Sequence, residues 1–230
     1  MKKRIGIQGF LMFLAAVAAA LFLNLFLPKT ENRILRESLD AAGIVLVLTG
    51  FLFRVSGRGY KFDHSSEGIK LVTGGVYALI RNPMYLGTFL IGVGVSLYVF
   101  SWWAALAFGF IFLAIYVPQI KKEEKILNSR FGQVYKHYCQ VAPRFFPRPS
   151  GLFNKSLRQH IFFKWRWVKK ELPSLIAVIV LLTAAGICKD VKLYGGISWQ
   201  KELIKLDKII FCLVIITILF YEKENVAKKI

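Results

Sequence analysis

Apolar residues along this chain are gathered into six blocks, separated by polar segments rich in lysine and arginine. The first occupies residues 5–27, behind Lys2, Lys3 and Arg4 and ahead of Pro28. The second covers about 39–55, the third 84–100 and the fourth 102–117, which Pro118 is expected to close. Two shorter blocks follow at 174–188, opened by Pro173, and at 209–221. A helix needs about 20 apolar residues to cross the hydrocarbon of a bilayer. The pattern therefore predicts an all-α, polytopic transmembrane helical bundle of five or six spans. Only Ser101 separates the third and fourth blocks, so they are expected to form a tight antiparallel hairpin with Trp102 and Trp103 in an interfacial aromatic belt. The first block is longer than the apolar core of a signal peptide and is expected to be a retained helix.

Composition agrees with the pattern. Hydrophobic residues make up 56% of the 230 and the mean hydropathy is +0.51, more than a water-soluble domain of this size carries. The net charge of +19 would suit nucleic acid, but the cations lie between the apolar blocks, as cytoplasmic lysines and arginines of membrane proteins do. No nucleic-acid partner is expected; the bilayer is the expected partner. With both termini in the cytoplasm and six crossings, 24 lysines and arginines face inside and eight face outside, and this bias sets the expected orientation in the cytoplasmic membrane. Three cysteines without CxxC spacing and three scattered histidines give no metal site.

Two cytoplasmic segments hold the candidate chemistry. In the first, residues 71–87, Gly74-Gly75 breaks the chain and is expected to lie close to a ligand. A short helix over 76–80 should end at Asn82-Pro83, because a residue before proline avoids helical geometry. Arg81, Asn82 and Tyr85 then gather at the mouth of the third block, either as a site or as interfacial anchors. In the second, residues 120–138 carry apolar residues at helical spacing. Glu123 and Glu124 are the only acids between Glu67 and Glu171, read either as functional carboxylates or as partners of neighbouring lysines. The pair Gly92-x-Gly94 reads as close helix packing. Residues 155–170, with Phe162, Phe163, Trp165 and Trp167 among cations, read as a membrane-surface helix.

Segments 71–87 and 123–147 together resemble the isoprenylcysteine carboxyl methyltransferase and phospholipid methyltransferase superfamily. The first is similar to its L-V-x-x-G-x-Y-x-x-x-R-H-P-x-Y-x-G pattern and the second to E-E-x-x-L-x-x-x-F-G-x-x-Y-x-x-Y, followed here by Val141-Ala142-Pro143-Arg144. The resemblance covers roughly residues 40–148 and implies a membrane methyltransferase that binds S-adenosylmethionine without a Rossmann fold. It carries cofactor binding over to Ile69, Lys70, Leu71, Val72, Tyr77, Asn82, Pro83, Met84, Tyr85 and Glu123. A carboxylate at Glu123 suits ribose hydroxyls or a sulfonium. Asn82 stands where the eukaryotic prenylcysteine enzymes have histidine, and Gln119 where they have a substrate-contacting arginine. Arg130 is the candidate substitute cation, and Glu124 or Tyr135 would assist an amine acceptor. A lipophilic acceptor (carboxylate, thiol or amine) would enter from the bilayer. The expected organisation is a helix and outer loop over 1–38, a methyltransferase core over 39–148, and a basic linker with an apolar hairpin over 149–230. Competing readings are an NADPH-dependent sterol or lipid reductase and a non-catalytic membrane scaffold.

Overall fold

A computed structural model describes residues 33–65, 70–147, 161, 164–194, 207 and 210. The expected helix at 5–27, the block at 209–221 apart from Ile210, and Ile69 lie outside the described residues. Among the described residues all regular structure is helical: α1 Arg33–His64, the one-turn α2 Val76–Leu79, α3 Pro83–Val99, α4 Trp102–Val141 and α5 Trp165–Tyr194.

Three of these are long and apolar enough to cross a membrane, within Ile34–His64, Trp102–Val141 and Trp165–Cys188; α3, with 17 residues, is shorter. The expected third and fourth blocks appear as α3 and α4, joined by Phe100 and Ser101 as anticipated.

α1 extends beyond its expected block of 39–55 at both ends, and three further boundaries differ from the sequence expectation. Pro118 does not end a helix, since α4 runs through it and stays helical as far as the kink at Gly132, a stretch of about 45 Å at ~1.5 Å rise per residue. That exceeds the hydrocarbon thickness of about 30 Å, so the polar half beyond Pro118 projects from the bilayer. The proline removes one intrahelical donor, but tertiary contacts hold the far side: Ile120 is fully buried and Glu124 nearly so. The second exception is Pro173, which lies inside α5 and does not open it. Third, residues 165–170 form the first turns of α5, where Trp167 is buried; residues 155–160, Phe162 and Phe163 of the expected surface helix lie outside the described residues.

A glycine seam joins α1 to α3. A Cβ on Gly43 would lie 2.7 Å from the carbonyl oxygen of Gly94, and one on Gly50 would lie 2.6 Å from that of Gly87. The reverse distances, from Gly94 to Gly43 and from Gly87 to Gly50, are both 2.5 Å. Helices that lack a hydrophobic drive toward each other associate through such backbone-close contacts. Gly94 thus packs as expected, while Gly92 lies under the Phe108 ring of α4, 2.0 Å from a would-be Cβ. Arg36 closes the far end of the seam. It donates to the carbonyls of Phe100 (2.9 Å) and Leu97 (3.1 Å), and also to that of Tyr98, and pairs with Asp40 at 2.8 Å. A guanidinium there satisfies carbonyls that the end of α3 leaves without helical partners. On the other side of α1, Trp167 of α5 covers Gly59 and donates to Asp63 at 3.1 Å.

Candidate functional site

The two motif segments meet at the end of the α3–α4 hairpin where the polar half of α4 begins. Pro83 starts α3 at a position where its missing N–H costs nothing, which leaves Met84 and Tyr85 on the first turn. Tyr85 donates to Glu123 Oε1 at 2.8 Å, and Gln119, one turn earlier on α4, donates to the same oxygen at 3.0 Å. The Tyr85 ring lies edge-on to Tyr116, with centroids 5.6 Å apart. Glu123 is therefore held by two neutral donors in a half-exposed position.

Its neighbour Glu124 is committed differently. Adjacent residues on a helix face about 100° apart, and this step turns Glu124 inward to 9% exposure. Arg81 Nη1 lies 3.2 Å from its Oε1, while Arg144 reaches Oε2 through Nη2 at 2.7 Å and Oε1 through Nε at 3.1 Å. Arg81 also donates to the Cys139 thiol at 2.7 Å. The chain segments beneath are joined as well: Arg81 N–H donates to Pro143 O at 2.9 Å and Asn82 Nδ2 to Arg144 O at 3.1 Å. Tyr138 Oη donates to Tyr77 O at 2.7 Å. Glu124 thus ties the first motif to the segment that follows the second, and its partners are these arginines, not the lysines at 121 and 125 that the sequence offered.

Tyr135 packs in this same cluster with Tyr138 and Ala142. Burial, then the charge of Glu124, pushes its phenol up to about 12, so it is neutral near pH 7. Burial also raises the Tyr77 and Tyr138 phenols. The bend that brings these tyrosines under the first motif falls at Gly132, whose φ of 52° and ψ of −121° belong to a region that only glycine occupies readily. Nothing lies within 4 Å of a would-be Cβ there, so the backbone, not space, requires glycine.

The remaining expected residues separate into groups. Tyr77 is a core residue whose phenol donates to Gly57 O at 3.2 Å, and Pro83 is buried against Gly57. Leu71 packs with the tyrosine cluster and Val72 with the core around α2. Lys70 is exposed, and its carbonyl accepts from Ser65 at 2.7 Å. Arg130 is exposed on α4 with its guanidinium 5.6 Å from the Phe131 ring centroid; none of its described contacts joins it to Glu123 or Glu124. Gly74-Gly75 lies against Tyr60, whose Oη would be 2.4 Å from a Cβ on Gly74 and whose ring would be 2.5 Å from one on Gly75. The close approach expected of a ligand is made by this tyrosine. Arg144 and Cys139 had no assigned role in the sequence reading. The signal for Arg144 was charge balance, since two carboxylates in a basic stretch must find cations.

Residues 38–134 match the phospholipid methyltransferase family model. Among curated relatives, protein-S-isoprenylcysteine O-methyltransferase B of Arabidopsis thaliana is 30% identical over 109 residues, covering 44% of this chain and 55% of the relative. The Rattus norvegicus protein-S-isoprenylcysteine O-methyltransferase is 28% identical over 137 residues, 56% of this chain and 47% of the relative. That of Schizosaccharomyces pombe is 32% identical over 77 residues, 34% and 33% of the two chains. The chain spans about half the length of the first two relatives. No solved structure matches it. The resemblance read from the two motifs, to the isoprenylcysteine and phospholipid methyltransferase superfamily, agrees with these matches over the motif-bearing segment through Val134.

Proposed function

We propose that the protein is an integral membrane methyltransferase that uses S-adenosylmethionine to methylate a lipophilic acceptor at the cytoplasmic membrane face. The observation that carries this reading is the pair of bonds from Tyr85 and Gln119 to Glu123, which joins the two motifs at the mouth of the hairpin. The donor set fits the cofactor: a carboxylate oriented by neutral donors can accept from ribose hydroxyls or offset a sulfonium. Met84, Tyr85, Asn82 and Glu123 would hold it, with Leu71 and Val72 lining the approach from the loop. Lys70 stands at the entry of that loop in this reading, and Pro83 and Tyr77 hold its shape from the core.

Bound there, the cofactor supplies an electrophilic methyl group. The protein's part is to fix donor and acceptor in line and keep water out, which requires no strong base for a carboxylate or thiolate acceptor. Glu124 and Tyr135 act in this proposal on the geometry of the second motif, and a neutral, buried phenol suits that task better than proton abstraction. Arg130, exposed on the polar half of α4, is offered as a headgroup contact. The acceptor reaches the site laterally from the bilayer, alongside the apolar half of α4, where Leu106, Phe110 and Ile111 are exposed. Names of the relatives make a prenylated cysteine carboxylate one acceptor class to test.

Calorimetric titration of the detergent-purified chain with S-adenosylmethionine, beside NADPH, tests the reading. Saturable binding of the former, weakened by Glu123→Ala, is expected. Binding of NADPH alone would replace this proposal with a reductase, and binding of neither would leave a scaffold.

A further inference from the structure

Outside the family-matched residues, α5 carries a buried acid. Glu171 is 2% exposed, and a carboxylate at that depth needs compensating partners. Both oxygens have them. Oε2 accepts from Arg54 Nε at 3.2 Å and Nη2 at 3.0 Å, and Oε1 from Arg58 Nη1 at 2.7 Å. The remaining edge of the Arg54 guanidinium points the other way: Nη1 donates to Thr88 Oγ1 at 2.8 Å, and Thr88 in turn donates to the carbonyl of Met84 at 2.9 Å. The Arg54 stem lies in the glycine seam, 2.7 Å from a would-be Cβ on Gly87. These bonds form a continuous relay from α5, across α1, into the first turn of α3.

We propose that Glu171 is a positioning residue that fixes the α3 turn carrying Met84 and Tyr85, so that the C-terminal helix is part of the cofactor-binding unit. A planar guanidinium with two of its edges engaged cannot rotate without breaking one side. Glu171 therefore sets the plane of Arg54, and Arg54 sets the Thr88 hydroxyl against the Met84 carbonyl. The position of α5 is itself fixed by a second attachment, the Trp167 ring over Gly59 with its indole N–H on Asp63. Arg166 pairs with the same carboxylate at 3.0 Å. Two attachments one turn apart leave α5 no freedom to slide along α1. The inference rests on the reading of Met84 and Tyr85 as cofactor contacts.

The test uses the full chain in detergent and compares wild type with Glu171→Gln, Glu171→Asp and the exposed control Lys169→Gln. Hydrogen exchange at the Leu86, Gly87 and Thr88 amides is measured beside calorimetric titration with S-adenosylmethionine. In Glu171→Gln exchange at these amides should accelerate several-fold and the Kd should rise about tenfold at an unchanged bound fraction, the scale of one lost charged hydrogen bond. Lys169→Gln should behave as wild type, and Glu171→Asp should lie between. Unchanged exchange at 86–88 would overturn the proposal, as would an unchanged Kd with a falling bound fraction, which marks a purely structural role. Should Glu171→Gln fail to fold, the Asp variant decides by the same two readouts. A wild type that binds no S-adenosylmethionine overturns the proposed function alone, and the exchange data still decide the relay.

Discussion

Tyr85 and Glu123 stand 38 positions apart in sequence and are joined by a 2.8 Å hydrogen bond. The bond exists because α3 and α4 are antiparallel neighbours and because α4 continues past Pro118 far enough for Glu123 to reach the first turn of α3. Gln119 donates to the same carboxylate oxygen.

Tyr85→Phe keeps the ring and its edge contact with Tyr116 and deletes only the hydroxyl. A hydrogen bond to a charged acceptor contributes roughly 1.5–3 kcal/mol, so the melting temperature should fall, and with Glu123 less firmly oriented the affinity for S-adenosylmethionine should fall about tenfold. Calorimetry on the purified variant reads this directly. An affinity equal to that of wild type would remove Tyr85 from the site.

Glu124→Gln leaves Arg81 and Arg144 facing a neutral amide. Breaking a fully buried pair costs about 3–5 kcal/mol; the Arg144 side chain is 40% exposed, so water compensates part of the loss and about 2 kcal/mol is expected. Chemical denaturation should show this loss, and Glu124→Asp should recover part of it. A stability within error of wild type would mean that the cluster does not hold the two motif segments together.

In the α1–α3 seam, Gly50→Ala and Gly87→Ala should each destabilise the bundle by about 1–3 kcal/mol, the usual range for overpacking. Each new Cβ would meet a backbone carbonyl that cannot move without its helix. Gly109→Ala is the control: its nearest neighbour is the Phe89 ring at 3.8 Å, an ordinary contact, and its melting temperature should match that of wild type. Equal losses in all three would show that the seam is not specially close.

Alkaline unfolding should report Tyr135. Its phenol is pushed up to about 12 by burial and then by Glu124, whereas an unfolded chain returns it to about 10. The folded state thus holds this proton more tightly, a contribution present in full below pH ~10 and lost as pH rises toward 12. Tyr135→Phe should flatten the stability curve in that window and leave any rate profile at neutral pH unchanged in shape. A neutral-pH limb that disappears in the variant would restore Tyr135 as a proton acceptor.

Much of the architecture was legible in the chain because a bilayer imposes its own thickness. The third block and the apolar part of the fourth are α3 and the first half of α4 within a residue, and Ser101 marks their turn. The helix ends were misread where local rules met tertiary contacts. Pro118 breaks a hydrogen bond, yet the burial of Ile120 and the bonds to Glu123 and Glu124 continue the helix past it. Gly74-Gly75 signalled close approach correctly, but only the fold shows that Tyr60 makes it. Periodicity placed Glu123 and Glu124 side by side on a helix and could not separate their environments.

The sequence by itself determined the membrane class, the hairpin and the two motifs, because apolar length, charge bias and residue spacing are properties of the chain alone. Which carboxylate faces Tyr85 and which is locked between Arg81 and Arg144 was decided by the tertiary structure. So was the contact of Glu171 on α5 with Arg54, which spans 117 positions and leads through Arg54 to Thr88. Pairing of charges over such distances depends on which helix faces meet, and no local pattern encodes that meeting.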